Sequence, residues 1–198
     1  MRRYSIIYAD PPWPYHNPQD GNPARGGKTY PTLTMTQIKA LPVQRIAAPD
    51  CALFLWATFP KLKEALEVIE AWGFRYITCA FCWVKLNPTG KLLRGGRKGK
   101  DVLLRKGIYS GMGYWTNGNA ELCLFAKQGR PKRQARNVKQ IVIAPRGRHS
   151  AKPPEVRDRI VRLMGDVPRV ELFAREVVPG WSCWGDEVPT TISFEGVD

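Results

Sequence analysis

The chain is 198 residues long, 43% hydrophobic and 24% charged, enough for one domain with a real core and unlike the composition of a disordered segment. Its 31 Lys and Arg against 17 Asp and Glu give a formal charge of +14, which favours a polyanionic partner, nucleic acid ahead of an anionic membrane surface. No stretch approaches the roughly 18 consecutive apolar residues of a membrane-spanning helix, and Met1-Arg2-Arg3-Tyr4 runs directly into an apolar segment, so neither a span nor a signal peptide is expected.

Ser5-Ile6-Ile7-Tyr8-Ala9 has the character of a short buried strand, and Asp10-Pro11-Pro12-Trp13-Pro14-Tyr15 follows it at once. Adjacent prolines have no N–H to give a sheet ladder, so the backbone after Asp10 is forced out of the sheet and stiffened. Carbonyl groups without ladder partners then sit beside one acid and one flat ring, an acceptor-rich clamp for a planar group bearing an NH2. A proline-rich strand exit with a packing tryptophan is the plainer alternative. Residues 16–33 are polar and rich in Gly, Pro and Asn, with Tyr30-Pro31-Thr32 near their end, a long loop of the kind that serves as a lid or binding loop. Thr34 with Gln37 makes a capping box for a short helix through Leu41. Cys51 to Ala57 is apolar without alternation, a strand covered on both faces.

From Pro60 to Trp72 apolar residues recur at helical spacing, with Gly73 as the stop, and Phe74 to Val84 reads as a strand, completing a βαβ unit. Residues of about 86–112 then break the rhythm. Lys91, Arg94, Arg97, Lys98 and further cations face one acid, Asp101, in a basic loop or an arm that orders on nucleic acid. Ala120 to Lys127 and Val138 to Ala144 are two further strands, joined by a connection holding Arg130, Lys132, Arg133 and Arg136. No acid occurs from Leu122 to Pro154, against nine basic residues, and positive charge on two connections points to a phosphate-tracking face. Ser150 is placed to cap a helix starting near Pro153-Pro154, with Val156, Ile160, Leu163 and Met164 on one face and Gly165 ending it. Arg169 to Arg175 is another strand, and the stretch from about Val188 is a mildly acidic, peripheral tail.

Alternating strands and helices without an internal repeat point to a single three-layer α/β domain over residues 1–198, with a mainly parallel sheet. Ligands bind such sheets at the carboxyl ends of strands, so Asp10 and Arg175 open onto one edge if their strands are parallel. There is no Gly-x-Gly-x-x-Gly, which leaves a dinucleotide reading without support. Five cysteines, an odd number mostly inside apolar runs, suit reduced thiols in a cytosol. Cys79 and Cys82 have the spacing of a metal or redox pair, but residues three apart on a strand face opposite sides, and His16 and His149 are the only histidines. No metal site is expected.

An adenine exocyclic amine is a poor nucleophile because its lone pair is delocalised into the ring. Acceptors on both N–H bonds let the nitrogen pyramidalise as it attacks: Asp10 for one, the Pro11 carbonyl for the other. Stacking on Trp13 or Tyr15 would hold the ring, and an in-line sulfonium methyl donor then needs neither metal nor covalent intermediate. At these residues the chain resembles the S-adenosylmethionine-dependent adenine N6 methyltransferases typified by the catalytic subunit of the mRNA adenosine methyltransferase and its bacterial and phage relatives. After Asp10-Pro11-Pro12-Trp13 the likeness continues in order through Tyr30-Pro31-Thr32, Phe54-Leu55-Trp56, Ala71-Trp72-Gly73-Phe74 and Trp83-Val84-Lys85. It runs on through Gly113-Tyr114-Trp115 with Asn117 and Glu121, His149 to Pro153, Glu171 to Arg175, Pro179-Gly180-Trp181 and Trp184 to Glu187.

The resemblance implies a Rossmann-like methyltransferase fold, circularly permuted so that the clamp precedes the cofactor strand, in a bacterial or phage-infected cell. It implies S-adenosylmethionine as cofactor, with Asp10, Pro11, Pro12 and Trp13 catalytic. Lys152 matches a lysine that reaches the cofactor's carboxylate, Arg175 one near its ribose, and Asp186-Glu187 a pair at ribose and adenine. The family more often has asparagine where Asp186 stands; a carboxylate still accepts ribose hydroxyls but loses the amide donor. Trp13, Tyr15, Tyr30, Trp115, Lys91, Arg94, Arg97 and Lys98 fall on the substrate side, with Asn117 and Glu121 in support. DNA is the favoured substrate, RNA the alternative, and a homo- or hetero-oligomer is left open. A non-catalytic nucleic-acid-binding subunit is the competing class, against which the intact Asp-Pro-Pro-Trp argues.

Overall fold

A computed structural model describes residues 2–14, 32–88, 93–94, 101–102, 107–111, 115–147 and 151–194. In chain order the elements are β1 (Tyr4–Ala9), α1 (Met35–Ala40), β2 (Ala47–Ala57), α2 (Leu62–Ala71), β3 (Arg75–Leu86), β4 (Leu93–Arg94), β5 (Asp101–Val102), β6 (Ala120–Gln128), β7 (Ile141–Pro145), α3 (Glu155–Met164), β8 (Arg169–Leu172) and β9 (Ser182–Trp184). Seven strands form one sheet in the order β7-β3-β6-β2-β1-β8-β9, and β4 and β5 pair as a separate short hairpin. All neighbours in the large sheet are parallel except β6, which runs antiparallel to both β2 and β3. The expected βαβ unit is therefore present with one strand inserted: β2 and β3 point the same way, and β6 lies between them.

Hydrophobic side chains of the central strands divide by alternation between two faces. Ile7, Leu53, Leu55, Leu124 and Val170 pack with α1 and α2, while Ile6, Tyr8, Phe54, Trp56 and Cys123 pack with α3. This gives the three-layer α/β arrangement expected of alternating elements. The capping box forms as read: Thr34 Oγ1 accepts from the Gln37 N–H, and Gln37 returns an acceptor to the Thr34 N–H. The Trp72 indole donates to the Ile38 carbonyl at 2.9 Å and ties α2 to α1. Gly73 and Gly165 follow α2 and α3 with φ of +76° and +92°, the backbone that lets a chain leave a helix without a Cβ clash.

Three expectations change. The strand read over 169–175 ends at Leu172, because Phe173 turns to φ +60°, and a further strand, β9, is added beyond it. The helix start is not side-chain capped: Pro154 holds the cap position without such a bond, and Ser150 lies outside the described residues. The described part of the peripheral tail is tied to β9: the Thr191 N–H donates to the Cys183 carbonyl at 2.9 Å, and Phe194 meets Trp184 edge-on at 5.2 Å. Cys79 and Cys82 share a face. Cys79 pairs with Leu124 and Cys82 with Leu122, and the slip between Cys79 and Phe81 absorbs one residue, which reverses the alternation. Burial raises both thiols above the ordinary cysteine range, and Cys82 raises Cys79 further. Among the described residues no cluster of His, Cys, Asp and Glu is arranged for a metal, and no helix is long and apolar enough to cross a membrane.

The buried stripe of α3 includes a cation that periodicity did not reveal. Arg157 is bidentate to Glu171 of β8, at 2.7 and 2.9 Å, and bonds Glu176 at 2.7 Å. Side-chain exposures of 11% and 9% put Arg157 and Glu171 largely out of water, where a lost partner leaves an uncompensated charge. Arg157→Met should therefore cost about 3–5 kcal/mol of stability in urea unfolding. Arg157→Met combined with Glu171→Leu should recover most of the loss; a single variant as stable as the parent would show the pair to be dispensable.

Candidate active site

Because β1, β2, β3, β7, β8 and β9 run in one direction, their carboxyl ends share one edge of the sheet. Asp10 follows β1, Phe173 to Arg175 follow β8, and Gly185 to Glu187 follow β9 on that edge. From β1 the chain continues to β2 on one side, whereas β8 continues to β9 on the other, so the crevice between β1 and β8 is the point where the strand order reverses. Such a point is where open α/β sheets bind ligands. The dependence of the Asp10 and Arg175 placement on parallel strands is thus met, although Arg175 stands three residues beyond its strand.

Asp10 is held by Lys152, whose ammonium donates to Oδ2 at 2.6 Å. Lys152 also lies 3.3 Å from Glu121 on β6, and Glu121 in turn takes a hydrogen bond from Lys85 at the end of β3. The result is an alternating chain, Asp10–Lys152–Glu121–Lys85, along the edge from β1 to β3. Two tryptophans underlie it. Lys152 Nζ stands 5.5 Å from the Trp56 ring centre and Lys85 Nζ 5.1 Å from that of Trp83, with the two indoles edge-to-face at 6.3 Å. Side-chain exposure is 21% at Asp10 but 9% at Lys152 and 7% at Glu121, so the acid is the member of this trio that opens to solvent. Burial raises the Asp10 carboxyl above the usual carboxylate range; Lys152 opposes this, Glu121 adds to it, and Arg175 draws it down. The Lys152 ammonium is raised by Asp10 and Glu121 against its own burial and stays charged.

The clamp's carbonyls are less free than the two prolines led one to expect. The Pro11 carbonyl accepts the Trp13 N–H at 2.9 Å and the Pro12 carbonyl accepts the Leu33 N–H at 3.2 Å. Each keeps a second lone pair. Trp13 itself is only 5% exposed, and its indole N–H donates to the Trp56 carbonyl at 3.1 Å. It therefore fixes the strand exit from below as a packed anchor, the plainer of its two sequence readings, rather than presenting a free face for stacking. Trp56 returns the tie by donating its indole N–H to the Tyr8 hydroxyl at 2.6 Å.

On the other side of the crevice, Phe173 holds a left-handed backbone and packs edge-on against Trp184 at 5.4 Å. A non-glycine residue in that region stores strain that surrounding structure must hold, a recurring feature of ligand sites. Gly185 leaves no room for a Cβ against the Ala174 backbone, and the Ala174 N–H donates to the Trp184 carbonyl, so the two loops run locked together. Arg175 then reaches Glu187 at 3.6 Å, with Asp186 exposed beside it. The donor set along this edge, two cations and several carboxylates with alternating sign, suits a zwitterionic molecule carrying a carboxylate, an ammonium and vicinal hydroxyls.

The substrate-side residues are placed less completely. Trp115 is 100% exposed, its whole indole open, just ahead of where β6 starts at the same edge. Tyr15, Tyr30, Lys91, Arg97 and Lys98 lie outside the described residues, and of Arg94 only the β4 backbone is described. The base of the basic arm is fixed: Tyr109 N–H donates to the Lys85 carbonyl at 2.8 Å, Asn87 N–H to that of Gly107 at 2.9 Å, and Arg146 stacks 3.4 Å over the Tyr109 ring. The arm thus leaves and rejoins the clamp edge. The second basic connection does not share it. It begins where β6 ends, at Gln128, and ends where β7 starts, at Ile141, which is the opposite, amino-terminal edge. The expectation of one face shared by both basic connections is therefore corrected: they are rooted at opposite edges of the sheet, because β6 runs backwards.

A family model described as MT-A70 matches residues 4–187. A Type II methyltransferase of a Mycoplasma species, M.MunI, is 34% identical over 208 aligned residues, which cover 95% of the chain and 79% of that protein. The human N(6)-adenosine-methyltransferase catalytic subunit METTL3 is 27% identical over 191 residues, 95% of the chain but 29% of that protein. An N(6)-adenosine-methyltransferase MT-A70-like protein of Drosophila melanogaster is 26% identical, again over 95% of the chain and 27% of its own length. The chain spans less than a third of these two larger relatives.

The Asp10 carboxyl reports on the ion chain directly. In a carbon NMR titration, Glu121→Gln should move the Asp10 inflection to lower pH, because a like charge that raises it is gone. Lys152→Met should move it to higher pH, and an inflection that ignores both substitutions would break the chain as described.

Proposed function

The chain belongs to the MT-A70 family, and from that membership we propose that it transfers a methyl group from S-adenosylmethionine to the exocyclic N6 amine of adenine in DNA. The observation that carries the reading is Asp10 at the reversal point of the sheet, one-fifth exposed, with the Pro11 carbonyl beside it and Lys152 behind. When bound, the cofactor supplies an electrophilic methyl on a positively charged sulfur. Lys152 and Arg175 are the cations suited to its carboxylate end and ribose side, and Asp186 and Glu187 the acceptors suited to its hydroxyls and adenine amine.

The rest is work for the chain's own groups. Asp10 accepts one N–H of the target amine and the second lone pair of the Pro11 carbonyl accepts the other, which localises the nitrogen lone pair for attack. The methyl group would leave sulfur as the N–C bond forms, the broken bond's electron pair staying on a neutral thioether, and the nitrogen would shed one proton, which Asp10, with proton affinity raised by burial, is placed to take and pass to water. Neither acceptor reorganises during the step, since both are fixed by the Trp13–Trp56 tie beneath them. Lys152 balances the Asp10 charge before substrate arrives and keeps the carboxyl oriented. The exposed Trp115 offers a stacking surface, and the basic arm rooted at Asn87 and Tyr109 lies on the same edge to meet phosphates around the target base. Presenting N6 to the crevice requires an adenine outside a base stack, either flipped or on a single strand.

Similarity over 79% of a Type II methyltransferase favours DNA; RNA is the second reading, favoured by similarity to METTL3 over nearly the whole chain. Labelled-methyl transfer onto duplex DNA, single-stranded DNA and RNA, followed by nucleoside analysis, separates the two. N6-methyladenine in DNA is the expected product. Asp10→Ala should lower turnover by roughly 10²-fold or more while nucleic-acid binding persists, in line with deleting one positioned polar group. Unchanged turnover would remove Asp10 from the mechanism.

A further inference from the structure

We propose that the connection between β6 and β7 forms a second nucleic-acid-binding surface, on the edge of the sheet opposite the clamp, which grips the phosphate backbone of the substrate polymer far from the target base. The inference rests on the reading of the chain as a nucleic-acid methyltransferase, and adds to it a remote anchor independent of sequence.

Pairing sets this surface apart from the cations of α3 and of the clamp. On and around α3 the arginines are engaged: Arg157 with Glu171 and Glu176, Arg159 with Glu155, Arg162 with Asn137 and Arg169 with Asp166. At the clamp, Lys85 and Lys152 are paired with acids. Arg130, Lys132, Arg133 and Arg136 are all exposed, and among the described residues none of their side chains takes part in an ion pair or hydrogen bond. The acid of this groove, Asp50, is occupied in accepting the backbone N–H of Arg130 at 2.6 Å. A cavity of about 470 Å³ lies here, where Arg130, Lys132, Arg133, Gln134 and Asp50 stand around an apolar floor that includes Met164 and Val167.

The loop is held in shape by bonds that leave those four side chains out. The Gln134 N–H donates to the Leu163 carbonyl at 2.7 Å, and Arg159 bonds the carbonyls of Lys139 and Ile141 at 2.7 and 2.8 Å. The cations are thus presented from a backbone already fixed, so less ordering entropy opposes binding. Arg75, at the start of β3, and Lys127, its partner on β6, extend the positive edge along the sheet. A row of unpaired cations on a fixed loop, with no aromatic side chain among them on which a base could stack, matches a phosphate backbone and not a base sequence. A second copy of this chain, itself at +14, is repelled by such a surface.

Distance gives the proposal its measurable form. β6 runs nine residues from the clamp edge to this loop, which at ~3.3 Å per residue is roughly 27 Å. Along a duplex rising ~3.4 Å per base pair, that is about eight base pairs. Short DNA seated at the clamp cannot reach the loop, and longer DNA can.

The test compares the full chain with the variant Arg130→Gln/Lys132→Gln/Arg133→Gln/Arg136→Gln, whose changes are all at exposed positions. Binding is followed by fluorescence anisotropy on a hairpin duplex of about 4 base pairs, half that reach, and on a duplex of about 24 base pairs over a salt series. On the longer duplex the variant should bind more weakly, with a log–log salt slope shallower by ~0.9 for each phosphate no longer neutralised. On the shorter one it should match the parent, and its turnover at saturating genomic DNA should also match. Equal losses on both lengths, or an unchanged slope on the longer duplex, overturns the proposal. So does an unchanged duplex affinity together with loss of binding to phosphatidylserine vesicles, which would assign the loop to a lipid surface. A chain that binds long duplex through these side chains yet methylates no nucleic acid supports the surface and fails only the enzymatic reading. One that methylates DNA and keeps its preference for length after the four substitutions sinks only the surface.

Discussion

Lys152 stands between two carboxylates, 2.6 Å from Asp10 and 3.3 Å from Glu121, with almost no water of its own. Burying ions costs several kcal/mol each after relaxation, and such groups persist only where their partners are arranged to match. Here the partners come from the end of β1, the start of β6, the end of β3 and the segment before α3, so the ion chain exists only when the sheet is assembled in its order. Its members are mutually dependent: Lys152 opposes the upward push of burial on the Asp10 carboxyl, and Lys152 is oriented because Glu121, itself bonded to Lys85, takes its other side. Lys152 sits behind the acid of the clamp, and the proposed role for it at the cofactor's carboxylate would place both on one ammonium.

The reversed strand β6 has consequences well beyond one pairing. It delivers Glu121 to the clamp edge from its second residue, and it carries the chain away from that edge, so the next connection comes out on the far side. Basic stretches that follow one another along the sequence are thereby rooted apart, one at Asn87 and Tyr109 on the clamp edge and the other about one strand length away. Had β6 been parallel, its start and not its end would face that far edge, and the loop after it would lie beside Asp10.

The clamp also shows how packing and chemistry share one motif. Trp13 is buried and tied to Trp56, and the Trp56 indole reaches Tyr8 on the strand that leads into Asp10. The tryptophan of the motif is thus packed beneath the strand exit that carries Asp10. Across the crevice, Phe173 accepts a left-handed backbone so that Ala174 can bond Trp184 and Arg175 can turn toward Glu187. Rigid supports on both walls carry the solvent-accessible groups, Asp10, Arg175, Asp186 and Trp115, at one edge of the sheet.

Most elements were legible in the sequence because their causes are local. The Thr34–Gln37 capping box, the glycine stops at Gly73 and Gly165, the doubly apolar run of β2 and the proline exit after Asp10 each follow from neighbours within a few residues. The resemblance of ordered motifs carried the family and the role expected of Asp10. Tertiary structure alone decided what depends on strands meeting: the insertion of β6 between β2 and β3, the pairing of Arg157 with Glu171, the common face of Cys79 and Cys82 across a bulge, and the bond that takes Trp13 out of solvent. Charge and periodicity are written along the chain, but which edge a loop emerges from and which acid a lysine meets are set by strand order and direction, and those are fixed only when distant segments pair.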